Sequence, residues 1–301
     1  MTFSFSFEPK RILCPVDFSE LSDLALKYAC VATREYNATL HVLHAETFEL
    51  PRYFSRSESD QLIQELASAK TSLRNHLAEH VQKILGIHAN GLDLKFEALE
   101  THPVGAILDF NRQAAIDLIV MGTHGYGGLK RLRLGSVAEN TVANAPVPVF
   151  TVRQKNHLVI DVLHADSIPV LEKILCPSNI SETAVIALRH AAALAERFGA
   201  VLTVLYISER DHHAHISNDE EKLCAWLEDT VKVQCDVKPM VLSGHAATEI
   251  ISYAGENKDD LVVLGARHQK FLEATFFGKT TELVMRHAPC PVLITPLLSE
   301  S

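Results

Sequence analysis

The residues best suited to chemistry in this chain of 301 lie in one glycine-rich stretch, Gly122-Thr-His-Gly125-Tyr-Gly-Gly-Leu-Lys-Arg-Leu-Arg-Leu-Gly135-Ser136. Glycine at 122, 125, 127, 128 and 135 lets backbone N–H groups approach a phosphate chain closely, because no Cβ intervenes. Ser136 opens a predicted helix and Glu139 follows three residues on, the spacing of a capping box. The unpaired N–H groups and the dipole at such a helix start favour an anion. Lys130, Arg131 and Arg133 add local positive charge. Glycine density alone fits a mobile loop before a well-capped helix equally well. A second marked position is Pro15-Val16-Asp17, which places an acid directly after an apolar run.

The elements that must position these residues alternate in type. Ile12–Val16 reads as a strand, and Glu20–Tyr36 as a helix with Leu21, Leu24, Ala25, Tyr28, Ala29 and Ala32 at helical spacing. Leu40–Ala45 is a second strand, and about Asp60–Leu85 a long helix with Leu62, Leu66 and Leu73 on one face. Leu94–Ala98, Leu118–Gly122 and Val147–Val152 complete the strands, with helices over Val104–Gln113 and Val137–Asn144 between them. Strands joined by helix-length crossovers run parallel, and apolar strands such as Leu118–Met121 need helices on both faces. The expected class is α/β, with doubly wound parallel sheets. In such sheets ligands bind beyond the carboxyl ends of the strands, where the strand order reverses. Asp17 and the glycine stretch both follow strand ends, which tips the glycine stretch towards phosphate binding.

The pattern occurs twice. Arg11-Ile-Leu-Cys-Pro-Val-Asp-Phe-Ser-Glu20 and Lys173-Ile-Leu-Cys-Pro-Ser-Asn-Ile-Ser-Glu182 are identical at six of ten positions, at a spacing of 162. His102, Asp117–Gly122 and Ala145-Pro146 recur as His245, Asp260–Gly265 and Ala288-Pro289 at a spacing of 143. The second copy therefore lacks 19 residues, which fall between about Glu46 and Leu94 of the first. The boundary lies near Arg153–Val170. Val147–Val152 and Pro291–Thr295 are apolar edges that invite aggregation if left bare, so the two copies are expected to pair through them as an intramolecular pseudo-dimer.

Composition narrows the function. A formal charge of −9 argues against a nucleic-acid surface but leaves room for a small phosphorylated ligand. The longest apolar runs are strand-sized, far short of a membrane span. Met1–Lys10 alternates Phe and Ser and lacks the basic-then-apolar pattern of a signal peptide, so the expected location is cytoplasmic. The six cysteines form no CxxC pair, and Cys14 and Cys176 sit in apolar strands, so no disulfide framework is expected.

Gly122-x2-Gly125-x9-Gly135-Ser136 resembles the ATP-binding signature of the universal stress protein family. Cys14–Glu20 is similar to that family's first strand, Met121–Gly125 to its fourth-strand tip, and Pro146-Val-Pro-Val149 to its last strand. The resemblance implies two tandem domains, 1–156 with an intact ATP motif and 170–301 with a degenerate one. Each would have a five-stranded sheet of order 3-2-1-4-5, adenine nucleotide alpha hydrolase-like. It further implies that Asp17 bonds the ribose or adenine side, with Pro15 and Val16 framing the base and the backbone of Ala45 meeting adenine. Gly122 would lie near the ribose, while Gly125, Gly135 and Ser136 would hold the phosphates, and Met121 and Val137 would complete the ATP-binding set. Mg²⁺ or Mn²⁺ would accompany the triphosphate.

The second copy departs from this pattern: Asp17 becomes Asn179, Gly125 becomes His268 and Ser136 becomes Lys279, while Gly278 still matches Gly135. His268 puts a side chain where backbone should approach, and Lys279 cannot accept a cap bond, so ATP binding is expected to be lost there. That copy is then scaffold, or binds a different ligand such as an anion drawn by Arg267, Lys270 and Lys279. Gly278-Lys-Thr280 lacks the upstream glycine of a P-loop, Glu273 standing in its place. His212-His-Ala-His215 lies in a polar stretch that reads better as solvated loop than as metal site. His102 and His245 recur at helix starts, which suggests a structural role, and Tyr126 and Asn140 suit phosphate contacts or packing equally. No nucleophile-and-base pair accompanies the loop, so the expected function is an ATP-binding stress-response or regulatory module, not an enzyme. A weak ATPase or nucleotide-dependent transferase, and a partner-binding protein with a vestigial site, are the alternatives. The protein partner is not legible, and a homodimer of chains is possible.

Overall fold

Alternating apolar runs and amphipathic stretches organise each half of the chain into the same strand–helix series. The computed structural model describes residues 5–47, 56–123, 134–153, 169–208, 216–230, 235–266, 269–271, 274–276 and 278–296. The first half runs β1 (Arg11–Pro15), α1 (Glu20–Tyr36), β2 (Thr39–Ala45), α2 (Arg56–Leu85), β3 (Asp93–Leu99), α3 (Pro103–Ala114), β4 (Leu118–Gly122), α4 (Ser136–Asn144) and β5 (Val149–Val152). The second runs β6 (Lys173–Ser178), α5 (Glu182–Phe198), β7 (Val201–Ser208), α6 (Ile216–Thr230), β8 (Val237–Ser243), α7 (Ala246–Glu256) and β9 (Leu261–Ala266). A short hairpin of β10 (Gln269–Phe271) and β11 (Ala274–Phe276) precedes α8 (Lys279–His287) and β12 (Val292–Pro296).

Local chemistry sets the helix limits. Ser19 caps α1 by accepting from the Ser22 N–H, Glu20 and Asp23 complement the helix dipole, and Asn37 closes the helix in the left-handed region at φ 47°. In α2 the buried stripe is Leu77, Val81 and Leu85, and Leu73 is half-buried. The side chains of Leu62 and Leu66 lie outside the described residues. The missing length of the second copy is visible here, since α2 has 30 residues and α6 has 15.

The first five strands pair in the order β3-β2-β1-β4-β5, as expected, and the second domain repeats it as β8-β7-β6-β9-β12. Every pair within a domain is parallel. Strand side chains alternate between two covered faces. Ile12, Cys14, Leu118 and Val120 pack with Leu24, Ala25 and Tyr28 of α1, while Leu13, Ile119 and Met121 pack with Ile107, Ala138 and Val142 of α3 and α4.

The β1–β4 junction is short. Only Ile12 pairs with Leu118 and Leu13 with Ile119 before the strands part. At their N-terminal ends the Asp117 carboxylate accepts from the backbone N–H groups of Lys10 and Arg11, each at 2.9 Å. The second domain repeats the clamp, with Asp260 accepting from Glu172 and Lys173 at 3.0 Å.

The two domains share one ten-stranded sheet. It is closed by antiparallel pairing of β5 with β12, Val149 opposite Ile294, Phe150 opposite Leu293 and Thr151 opposite Val292. Thr151 Oγ1 donates to Val292 O at 3.0 Å, and Arg153 reaches Met285 O at 3.2 Å. Phe7 before β1 packs on Tyr36 and on His190 of α5, Tyr36 meets Phe198, and Arg197 lies over the Tyr36 ring. Burying a large apolar side chain contributes about 1.5–3 kcal/mol, so Phe150 and Leu293, both buried in the seam, outweigh the modest gain of any one ladder bond. All six cysteines are free. Among the described residues, no helix is long and apolar enough to cross a membrane.

Residues 1–156 expressed alone would leave β5 uncovered. Two copies are expected to pair through it, giving twice the single-domain mass by light scattering. A lone domain that stays monomeric at high concentration would refute this account of the seam.

Candidate functional site

Beyond the point where β1 and β4 separate, their tips form the two sides of a cleft. At the β1 tip the Val16 N–H donates to Leu43 O at 2.8 Å, and the buried His44 donates its Nδ1–H to Val16 O at 2.7 Å. These bonds hold the β1 and β2 ends in register. The chain then reverses at Phe18, a non-glycine residue at φ 62°, so that Ser19 folds back on Asp17. Ser19 donates to Asp17 Oδ1 from its N–H at 3.2 Å and from its hydroxyl at 2.6 Å, fixing the carboxylate at the start of α1.

On the β4 side Thr123 is fully buried. Its N–H and hydroxyl both donate to Val152 O, at 3.0 and 3.2 Å, and its carbonyl accepts from the Gly135 N–H at 2.8 Å. Thr123 thus joins the tip of β4 directly to Gly135, the residue before α4. Gly125, Tyr126, Lys130, Arg131 and Arg133 belong to the segment 124–133, which lies outside the described residues.

A cleft of about 440 Å³ lies between these tips. Pro15, Val16, Asp17, Ala45, Met121, Gly122, Gly135, Ser136 and Val137 all line it. Sequence reasoning thus named the lining except for Ser22, Leu43, Pro103, Ile107, Thr123 and Ala138. Leu43, Ile107 and Ala138 are buried core residues whose apolar type gives no sign of facing a cleft. Thr123 did carry a signal, standing next to Gly122 at the strand tip.

Several expectations need correction. Gly135, not Ser136, is the N-cap of α4, with φ −66° and ψ 141°, and Ser136 is the first helical residue. No side chain caps this helix, because the capping position holds a glycine, so the predicted capping box does not form. Asn140 Nδ2 donates to Ser136 O at 2.7 Å along the helix, which ties its amide to the backbone. Gly122 has a packing role besides its place in the cleft: a Cβ there would lie 3.1 Å from the backbone carbon of Leu21. Its missing side chain lets α1 approach β4. His102 and His245 sit at the N-cap positions of α3 and α7, but both side chains are exposed and make no cap bond. What recurs is the backbone position.

The second domain keeps a cleft of about 520 Å³ at the matching place. Asn179 Oδ1 accepts from the Ser181 hydroxyl at 2.5 Å, and Ile180 takes φ 56°, so the turn of Asp17 and Phe18 is reproduced with an amide for the acid. Gly278 is the N-cap of α8 at φ −60° and ψ 141°, and Lys279 is its first residue. Because neither α4 nor α8 is capped by a side chain, the exchange of Ser136 for Lys279 removes no cap bond. It exchanges a hydroxyl for an ammonium. Arg267, His268 and His212–His215 lie outside the described residues, as does the side chain of Lys270.

Burial pushes the Cys14 thiol far up and the Cys176 thiol up to about 12, so neither strand cysteine offers a thiolate. Among the described residues no group of three His, Cys, Asp or Glu could hold a metal ion. A divalent ion at the first cleft would therefore depend mainly on oxygens of a bound triphosphate and on water.

The sequence profile of the universal stress protein family matches residues 8–153 and again residues 171–296. Universal stress protein MJ0531 of Methanocaldococcus jannaschii is 33% identical over 146 residues, covering 48% of this chain and 82% of that protein. Universal stress protein MJ0577 of the same organism is 31% identical over 156 residues, covering 49% of this chain and 96% of its own length. The crystal structure of a universal stress protein from Archaeoglobus fulgidus superposes with a TM-score of 0.67 at 22% identity, covering 95% of this chain and 98% of that one.

A methyl group at residue 122 should press on Leu21. Gly122→Ala is expected to destabilise the chain by about 1–3 kcal/mol, read as a lowered urea midpoint. An unchanged midpoint would show that the α1 backbone yields without cost.

Proposed function

Since the chain belongs to the universal stress protein family, we propose that its first domain binds ATP and acts as a stress-response or regulatory module. What carries the reading is that Pro15-Val16-Asp17, Ala45, Met121-Gly122 and Gly135-Ser136-Val137, far apart in sequence, line one cleft. Pro15, Val16 and the Ala45 backbone frame the base. Asp17, held by Ser19, faces the sugar side. The phosphates run past Gly122 and Gly125 towards Gly135, Ser136 and Val137, where the first N–H groups of α4 have no intrahelical acceptor and the helix dipole favours negative charge. Mg²⁺ or Mn²⁺ accompanies the triphosphate and neutralises part of its charge.

The module holds ATP without efficient turnover. Phosphoryl transfer needs an oriented nucleophile and a group to accept its proton. Among the described lining residues, Asp17 is the one carboxylate, and its Oδ1 is engaged by Ser19. Occupancy, not hydrolysis, is then the signal that a protein partner reads.

Titration calorimetry is expected to give about one ATP per chain, with no multiple-turnover release of phosphate. Two equivalent ATP sites would overturn the division between the domains, and steady phosphate release would make the protein an ATPase. Gly125→Val is expected to remove ATP binding while leaving the unfolding midpoint nearly unchanged, since a side chain there blocks backbone approach to phosphate. Unaltered affinity in that variant would place the phosphates elsewhere.

A further inference from the structure

The stretch between β9 and α8 takes the place that the glycine-rich segment holds between β4 and α4. The two have the same length, since Gly265 and Gly278 match Gly122 and Gly135 at the spacing of 143. Their composition differs. Gly125, Gly127 and Gly128 become His268, Lys270 and Phe271, and no glycine stands between Gly265 and Gly278. Phe271, Thr275 and Phe276 are strand-forming types. The backbone pairs with itself: in β10 and β11 Gln269 lies opposite Phe276, Lys270 opposite Thr275 and Phe271 opposite Ala274.

An isolated two-stranded hairpin is marginal in water, so this one depends on a neighbour. It joins no strand of the ten-stranded sheet. The neighbour lies across the seam. Among the described residues β11 runs beside α4 of the first domain, Cα to Cα within 8 Å, and apart from β10 it approaches no element as extensively. A second tie holds the helix that follows the hairpin. Arg153, directly after β5, donates to Met285 O in the last turn of α8 at 3.2 Å. The unit from β11 to α8 is thus attached to the first domain at both ends.

Helix α4 bears directly on the first cleft, because its first residues Ser136, Val137 and Ala138 line it. It has nine residues and no side-chain cap. A helix this short owes its stability to packing. Within its own domain α4 rests on α3 and β5, and β11 adds support from the second domain. A phosphate at the start of α4 takes its bonds from N–H groups that have no intrahelical acceptor, and it binds more tightly when those groups are already held in place.

We propose that the β10–β11 hairpin regulates the nucleotide site of the first domain: it braces α4 across the seam and so raises the affinity of the first cleft, and bound nucleotide in turn steadies the hairpin. The second copy then has a role in nucleotide binding without holding the nucleotide itself. The regulation rests on the ATP reading above, whereas the brace on α4 exists without ligand.

The test is amide-resolved hydrogen exchange and ATP titration on the full chain, with Gln269–Phe271 and Ala274–Phe276 each replaced by Gly-Ser-Gly. Thr275→Pro, confined to one position of β11, serves the same test where the longer replacement disturbs the sheet. Without nucleotide, α4 amides are expected to exchange about fivefold faster or more in these variants, while α3 keeps its protection. ATP affinity is expected to fall by about fivefold or more, and in the unaltered chain ATP is expected to slow exchange at β11, since coupling is reciprocal. Unchanged α4 exchange in both variants, or ATP affinity equal to that of the unaltered chain, would overturn the proposal. Failure of the ATP reading registers separately, as an unaltered chain that binds no ATP, and the nucleotide-free exchange at α4 then decides the brace by itself.

Discussion

The carboxylate clamp at the base of the β1–β4 junction is the contact on which both clefts depend. Asp117 gathers the backbone N–H groups of Lys10 and Arg11, which holds the N-terminal ends of the two strands together. Two residue pairs later the strands are free to diverge. From this junction the chain winds outwards in opposite directions, β2 and β3 to one side and β5 to the other. Crossover helices therefore leave the strand tips on opposite faces, and a gap opens where no helix can cover the sheet. Asp260 repeats the clamp, and the second domain repeats the gap.

A cleft made by topology does not depend on any one lining residue, which explains how the two copies could diverge. The turn after the first strand survives the exchange of Asp17 for Asn179, because the Ser19 and Ser181 hydroxyls need only an oxygen acceptor. A left-handed residue follows in both copies, Phe18 in one and Ile180 in the other, although a β-branched side chain is strained there. The helix starts at Gly135 and Gly278 agree within a few degrees. With the backbone conserved in this way, substitutions change the polarity of the wall while a cleft persists in both domains.

The seam between the domains has a different physical basis. β5 and β12 are buried along their whole lengths, so each covers the other's open edge. Antiparallel pairing of equivalent strands is what an approximate two-fold axis requires. Joining both copies in one chain keeps their effective concentration high, and the aromatic contacts of Phe7 and Tyr36 with α5 add a second layer of attachment.

The sequence by itself determined the element series, the two-copy organisation and most of the first cleft's lining. Strand and helix periods are local properties, and glycines and acids at strand tips are visible without a fold. Helix α1 and strand β4 follow their apolar patterns to the residue. Tertiary structure alone decided what depends on distant neighbours. It showed that Gly122 makes room for Leu21, that Thr123 bonds directly to Gly135, and that Asp117 holds the backbone N–H of Arg11, 106 residues away. It also replaced the capping box at Ser136 with a glycine cap, since three-residue spacing cannot tell which residue enters the helix first. The second cleft was hidden for a similar reason: substitutions signal the loss of a motif, but whether a cavity survives depends on the path of the strands around it.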